Sequence, residues 1–406
     1  MSEDIAVTKF REYLRINTEQ PNPDYDKAHE FLKTYAEEFG LEINRYDVIP
    51  GRPMILLKLT GSQPELKSLV LYSHIDVVPT FPKHWKYDPY SAHKDPDGKI
   101  YARGTQDMKS VGIQYMEAYR RLRQAGKKNF KRTIYFLFGA DEETGGQAAQ
   151  KFVNTKEFKE LNQSFTLDEG LASENDIYRV FYGERNPWCE LQQRLQVKIP
   201  GSPGHGSRFI ENDVGTKLKN LLDIVYAFRQ EQKEKLENSN GKLTLGDVTT
   251  LNVTKISGGA QTNVVPDEFV IEIDIRIPPT IVRTFEDTIK TWISQAGEGI
   301  TYTFLQHTVI DNTTPITDDD PYWKVFSNTL KDLDCKFVTE IFTGATDSRY
   351  FRELGIRSIG FSPMINTPVL LHDHNEFLEE KVFLRGVEIY EKLIENLANI
   401  PSEADI

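Results

Sequence analysis

Along the first 186 residues, short apolar runs alternate with amphipathic stretches. Leu69–Tyr72, Thr133–Phe138 and Phe165–Leu167 are rich in β-branched and aromatic residues and poor in polar ones, which predicts strands covered by helices on both faces. Between the first two runs, Asp107–Gly126 places Met108, Val111, Tyr115, Met116, Tyr119 and Leu122 at steps of three and four. That spacing lines one face of a helix, and Gly126 supplies its stop. Strands alternating with helices in this way predict an α/β fold.

Near Asn186 the pattern changes. Leu195, Val197 and Ile199 alternate with Gln196 and Lys198, as in a sheet with one wet face. A helix follows, with Val214, Leu218, Leu221, Leu222, Val225 and Phe228 assigned to its apolar side. Then come strands at Leu251–Val253 and Phe269–Ile275, a helix opened by a capping box of Thr284 and Asp287 and carrying Phe285, Ile289, Trp292 and Ile293, and a strand at Ile300–Leu305. The order β-α-β-β-α-β predicts a ferredoxin-like sandwich. After Gln306 the first pattern returns, with helices at Asp320–Leu333 and Glu380–Leu397 and strands at Phe337–Ile341 and Ile356–Phe361. The expectation is a discontinuous α/β domain, 1–186 with 307–406, interrupted by an inserted domain at 187–306.

Composition narrows the function. The 406 residues carry 49 Lys and Arg against 61 Asp and Glu, a formal charge of −12, which opposes nucleic-acid binding because phosphate neutralisation needs a basic surplus or stripe. Cys189 and Cys335 are too few for a disulfide framework and fit a reducing compartment. Residues Met1–Leu14 lack the apolar core of a signal peptide, and no apolar run reaches the roughly 20 residues of a membrane span. A cytoplasmic protein with no membrane partner is expected.

The chemistry gathers where strands end. The run Leu69–Tyr72 leads into Ser73-His74-Ile75-Asp76, whose alternate residues share a face, so that Asp76 can hydrogen-bond one nitrogen of His74 and leave the other for a metal. Taken alone, His-x-Asp also fits a hydrogen-bonded surface pair. Asp107 opens the amphipathic helix, where it also fits an N-cap. Thr133–Phe138 runs into Asp141-Glu142-Glu143, three adjacent carboxylates that repel one another and that a cation would reconcile; a solvated acidic turn is the alternative. Phe165–Leu167 ends in Asp168-Glu169, and His372-Asp373-His374 precedes the last helix. Repetition of His and carboxylate at successive strand ends is the signal, because ligands bind at such ends in open α/β sheets.

These passages resemble the dizinc metallopeptidase and aminoacylase family, and specifically its aminoacylase branch. The resemblance rests on Ser73–Pro79, Tyr101–Gly104 with Asp107-Met108-Lys109, Asp141–Glu143 with Gly145-Gly146, Leu167–Gly170, Pro203-Gly204-His205, Ala345–Arg349 and Thr367–His374, and it spans nearly the whole chain. It implies an α/β/α zinc-peptidase-like catalytic domain and an inserted lid or dimerisation domain. It further implies two zinc ions, one held by His74, Asp107 and Glu169 and the other by Asp107, Glu143 and His372, with Asp107 bridging. His372 is preferred over His374 because it alone has Asn375-Glu376 at the spacing of the family's closing motif. Glu142 is implied as general base and Asp76 as the residue that orients His74.

Arg349 presents a planar fork suited to a substrate carboxylate, with a structural salt bridge as the alternative. Asn263 and Arg276 are rival anchors, and Asp274 stands beside Arg276 as a ready partner. By resemblance His205 polarises the scissile carbonyl from a partner subunit, which implies a homodimer; Ser202 and Gly206 depart from the family pattern around it, where relatives often carry Arg and a small non-glycine residue. The implied activity is hydrolysis of N-acyl-L-amino acids, most simply acetylated ones with apolar side chains. A dipeptidase or carboxypeptidase with the same metal centre and an inactive binding homologue are the alternatives.

Overall fold

The computed structural model describes residues 3–188, 195–304 and 309–405. Cys189, Leu305 and the expected boundary at Gln306 and His307 lie outside the described residues. The chain divides into two compact units, one of Met1–Tyr182, Thr314–Glu340 and Thr346–Ile406, the other of Gly183–Thr313 and Ile341–Ala345.

The first unit is built on an eight-stranded sheet: β1 Glu42–Ile49, β2 Arg52–Leu59, β3 Ser68–His74, β4 Ile134–Gly139, β5 Gln163–Asp168, β6 Tyr178–Glu184, β7 Phe337–Phe342 and β8 Arg357–Phe361. The spatial order is β1-β2-β4-β3-β5-β8-β6-β7. Its centre, β4-β3-β5-β8, is parallel, and the register sets His74 opposite Gly139 and Gly360 opposite Asp168. Alternate side chains feed two cores. Leu69, Leu71, Phe136 and Phe138 pack with the helices on one face, while Val70, Tyr72, Tyr135 and Leu137 pack with Ala148, Phe152, Phe158 and Phe351 on the other. This two-sided cover explains the unbroken apolar runs.

The amphipathic stretch forms a helix at Lys109–Gln124, and Gly126, at φ +79°, ends it in the left-handed conformation that glycine adopts without penalty. Asp320 caps the helix Pro321–Asp332 through the N–H groups of Tyr322 and Trp323, and the last helix spans Glu380–Leu397. Helices Ile5–Leu14 and Tyr25–Phe39, the hairpin β1-β2 and β6 are elements that the hydrophobic pattern does not predict.

In the second unit, strands Leu195–Pro200, Thr250–Gly258, Glu268–Ile277 and Thr301–Phe304 and helices Val214–Glu237 and Val282–Ala296 follow one another as β-α-β-β-α-β. Numbered in that sequence the strands lie in the order 4-1-3-2, all antiparallel, the ferredoxin-like arrangement. Leu195, Val197, Ile199, Ile271, Ile273 and Ile275 face the helices with Trp188, Phe285 and Trp292. Two expectations are corrected. Thr284 does not cap its helix, which begins earlier, at Val282, with no side-chain cap; the capping box of this unit is Thr244 with Asp247, ahead of a short 3₁₀ turn. Leu222 does not join the core: with Tyr226, Val253 and Ile256 it lines a surface groove, because the adjacent edge strand leaves that side of the helix uncovered. Among the described residues no helix is long and apolar enough to cross a membrane.

Candidate metal centre

The centre assembles at the C-terminal ends of the parallel strands. His74 closes β3 and is fully buried. Its Nε2 stands 2.9 Å from Asp107 Oδ1 and 3.6 Å from Glu169 Oε2. The other oxygen of Asp107 faces a second histidine, with Oδ2 3.1 Å from His372 Nε2, and that same nitrogen is 3.0 Å from Glu143 Oε2. One carboxylate thus divides its oxygens between two imidazoles. Asp107 is not a helix cap: Met108 occupies that position and caps with no side chain. Possible ligand atoms lie within 4.8 Å of one another in two groups, His74 with Asp107 and Glu143, and His74 with Glu142 and Glu169.

His372, half exposed and held at φ +62°, reaches the carboxylates. His374 does not, and stacks on His84 at 4.8 Å between ring centroids. Asp76 departs from its expected contact. Its own backbone carbonyl lies 2.9 Å from His74 Nδ1, while its carboxylate is 3.7 Å from that nitrogen, beyond a hydrogen bond. The carboxylate instead accepts the N–H groups of Glu142 (3.1 Å) and Glu143 (3.2 Å) and the amide of Gln20 (2.8 Å). Asp76 therefore orients the turn that carries both glutamates, as well as the histidine. The expected acidic triplet is likewise a pair: Asp141 turns away to Arg52 (2.7 Å) and the Ala148 N–H (3.0 Å).

The short helix Ser348–Glu353 supports these turns from behind. Ser348 donates to Asp168 (2.6 Å), whose other oxygen accepts the Glu169 N–H (2.7 Å). Arg349 and Tyr350 both donate to the Gly145 carbonyl, at 3.0 and 2.8 Å, and Tyr72 donates to Asp347. Arg349 is buried, its guanidinium over the ring of Tyr350. In the second unit His205 is exposed on a two-stranded ribbon in which it pairs with Val264, and Gly206 donates to the carbonyl of Asn263 at 2.8 Å. The ribbon thus joins His205 and Asn263. Arg276 is bonded to Asp274 at 3.0 Å.

The charges of the centre fit a cation. Burial, then Glu169, pushes the Glu142 carboxyl well up; burial, then Asp107, pushes Glu143 up to about 7 and Glu169 well above its usual range. Hydrogen bonds to Asp107 and Glu143 raise His372 to about 10. Burial opposes the charged form of Asp107, but His372 and His74 outweigh it and hold this carboxyl low. Crowded, desolvated carboxylates of this kind are reconciled by a bound cation. Glu143 Oε1, moreover, is buried with no hydrogen-bond partner among the described residues, a lone pair left for a ligand. The donor set, imidazole nitrogen and carboxylate oxygen with no cysteine, suits zinc and related divalent ions.

A sequence model described as Peptidase family M20/M25/M40 matches residues 70–396. Over 403 residues the chain is 47% identical to Aminoacylase-1A of Rattus norvegicus, covering 99% of this chain and 97% of that one. Among solved structures it is similar to an M20 family metallo-carboxypeptidase of Sulfolobus solfataricus, with a TM-score of 0.71 at 16% identity over 98% of this chain and all of that one. It is similar also to a dinuclear metal-binding M20 peptidase of Bacillus subtilis, with a TM-score of 0.64 at 15% identity over 96% and 98% of the two chains.

Proposed function

Because the chain belongs to peptidase family M20/M25/M40, we propose that it is a metal-dependent amidohydrolase that cleaves N-acyl-L-amino acids to a carboxylate and a free L-amino acid. Near-full-length identity to a mammalian Aminoacylase-1A carries the substrate class. One observation carries the metal chemistry: the two oxygens of Asp107 each face a different histidine. His74, Asp107 and Glu169 would hold one zinc ion, and Asp107, Glu143 and His372 would hold the other. The chemistry such a pair of ions would supply is polarisation of the amide carbonyl and a lowered pKa of the attacking water.

Glu142 is the general base. The carboxylate of Asp76 accepts its backbone N–H, and its side chain lies among the possible ligand atoms of His74 and Glu169 without belonging to either proposed ligand set. It takes the proton of the attacking water and returns it to the departing nitrogen. Arg349, with Arg276 and Asn263 as its rivals, meets the substrate carboxylate, and His205 of a second copy polarises the scissile carbonyl. A homodimer is supported by the exposed ribbon of His205 and by the open edge strand Thr250–Gly258, whose Ile256 is 53% exposed. The low cysteine content supports a cytoplasmic location. The preferred substrates are short-chain acyl derivatives of apolar amino acids.

The test is free-amine release from N-acetyl-L-methionine by zinc-loaded protein, with a chelator-treated sample and an unblocked dipeptide alongside. Chelator-sensitive turnover of the acetylated substrate is expected. Turnover of the dipeptide alone would move the assignment to a dipeptidase.

A further inference from the structure

Asp107 and His372 come from distant parts of the chain, yet both must face one ion in the second pocket. A carboxylate outside the ligand set ties their segments together. Glu376, fully buried, accepts at Oε1 the N–H groups of Gln106 (2.6 Å) and Asp107 (3.3 Å) and the hydroxyl of Thr105 (3.3 Å). At Oε2 it accepts the N–H of Gly104 (3.2 Å) and Nη1 of Arg103 (2.8 Å). The loop that delivers Asp107 is therefore wrapped around one side chain.

Arg103, itself 1% exposed, extends the network. Its Nη1 also donates to the Asp373 carbonyl (3.1 Å), next to His372, and its Nη2 donates to the Pro79 carbonyl (3.4 Å) on the segment that follows Asp76. The guanidinium lies over the ring of Trp85. Gln106 bridges the same segments, donating to the carbonyls of Pro368 (3.0 Å) and Phe377 (2.9 Å) and accepting the N–H of Leu370 (2.9 Å).

We propose that the buried Arg103–Glu376 ion pair is the positioning element of the second metal pocket, holding Asp107 and His372 at the separation that lets both reach one ion. The inference rests on the two-zinc reading above. Neither member of the pair touches substrate, since both are buried; they act through the loop. A buried carboxylate is stable only with its hydrogen bonds complete, so the five donors around Glu376 leave the loop one conformation. His74 and Glu169, by contrast, stand on β3 and at the end of β5, rigid parts of the sheet that do not depend on this pair. Loss of the pair therefore weakens the second ion more than the first, because the first keeps His74 and Glu169 and loses the hold only of the shared Asp107, whereas the second depends on both Asp107 and His372.

Stepwise zinc titration of metal-free protein against a chromophoric chelator reads this directly. The wild type is expected to take up two equivalents. In Glu376→Gln, whose amide nitrogen presents hydrogens where N–H groups need an acceptor, the second equivalent should bind about 10- to 100-fold more weakly and the first, which shares only Asp107, should lose markedly less. Excess zinc should then restore kcat with KM unchanged. Arg103→Lys keeps the charge but not the fork and should weaken the same equivalent less, so it carries the test if Glu376→Gln fails to fold. Equal weakening of both equivalents, or of neither, in a wild type that binds two overturns the inference alone. A wild type that binds a single equivalent overturns the two-zinc reading and this inference with it.

Discussion

The carboxylates around the metal centre of the first unit and several ion pairs of the second stand in opposite settings. In the first, Asp76, Asp141, Asp168 and Glu376 are fully buried, and each is met by specific donors: the Glu142 and Glu143 N–H groups, Arg52, Ser348, and the Gly104–Asp107 loop. In the second, Lys198–Glu268, Lys219–Asp223 and Lys255–Glu272 pair on the solvent side of strands and helices. The difference is one of specification. A buried carboxylate fixes the geometry of every group bonded to it, because any other arrangement leaves it desolvated and unpaired. A solvated pair leaves its surroundings free to change, which suits a unit that offers an exposed histidine ribbon and an open edge strand.

The largest expected effect of breaking the buried set is on catalysis. Glu142→Gln keeps the size of the side chain and the backbone bond to Asp76 but removes the carboxylate proposed as base. It should retain two zinc ions while kcat falls by about two to four orders of magnitude, the scale of a positioned acid–base group; stopped assays with metal analysis on the same sample check both. Wild-type-like turnover would take Glu142 out of the mechanism.

Packing gives the next contrast. Leu71 is fully buried in the core beneath the strand that delivers His74, and Leu71→Ala should lower unfolding stability by about 2–5 kcal/mol, measured by denaturant midpoint. Ile256→Ser on the open edge should change the stability of the protomer by no more than about 0.5 kcal/mol and should weaken self-association, read by sedimentation.

How much of this was legible in the sequence follows the same division. The parallel strands were found because cover on both faces removes polar residues from them, and their ends were found because acids terminating such runs are conspicuous. The 4-1-3-2 unit was found because a wet face imposes a period of two. The hairpin β1-β2 was missed at the edge of the main sheet, where β1 shows little alternation in burial. Within the site, the ligand candidates were legible and their supports were not. Arg52 reaches Asp141 from a different strand, and nothing local marks it. Strand alternation directs the Asp76 carboxylate to His74, but the chain leaves the strand at His74, so the carboxylate points to the neighbouring turn. Glu376 did carry a signal, its place in the closing motif, but a motif does not reveal that its carboxylate caps a loop elsewhere in the chain.

Arg349 sharpens the comparison at the level of a single side chain. It is a buried cation of the first unit, bonded to the Gly145 carbonyl, whereas its rival Arg276 in the second unit is bonded to Asp274. If Arg349 anchors the substrate carboxylate, Arg349→Ala should reduce discrimination between an N-acetyl amino acid and its amide by about tenfold, a loss of about 1.4 kcal/mol. Reduced kcat with unchanged discrimination would instead make Arg349 a support of the Glu142–Gly145 turn and leave Arg276 as the anchor.

The smallest effect compares two ion pairs of the same chemistry. Asp405 accepts Nη1 of the fully buried Arg132 (2.8 Å), the Tyr322 hydroxyl (2.7 Å) and the Lys67 N–H (3.1 Å). Its partial burial opposes ionisation, but Arg132 and Tyr322 outweigh it, so its carboxyl lies below the usual range. Asp311, in the second unit, is held low by Arg283, whose side chain is 70% exposed. A carboxyl depressed in the folded state stabilises the protein above its unfolded pKa of about 3.9, and that stability is lost as pH falls through the folded value. Asp405→Asn should therefore lower Tm at pH 7 and converge with wild type below about pH 4. Asp311→Asn should track wild type throughout, because an exposed pair exchanges its partner for water at little cost. Parallel pH profiles for the two variants would mean that burial of the cation, which separates these two pairs, is not what gives a carboxylate its hold on the fold.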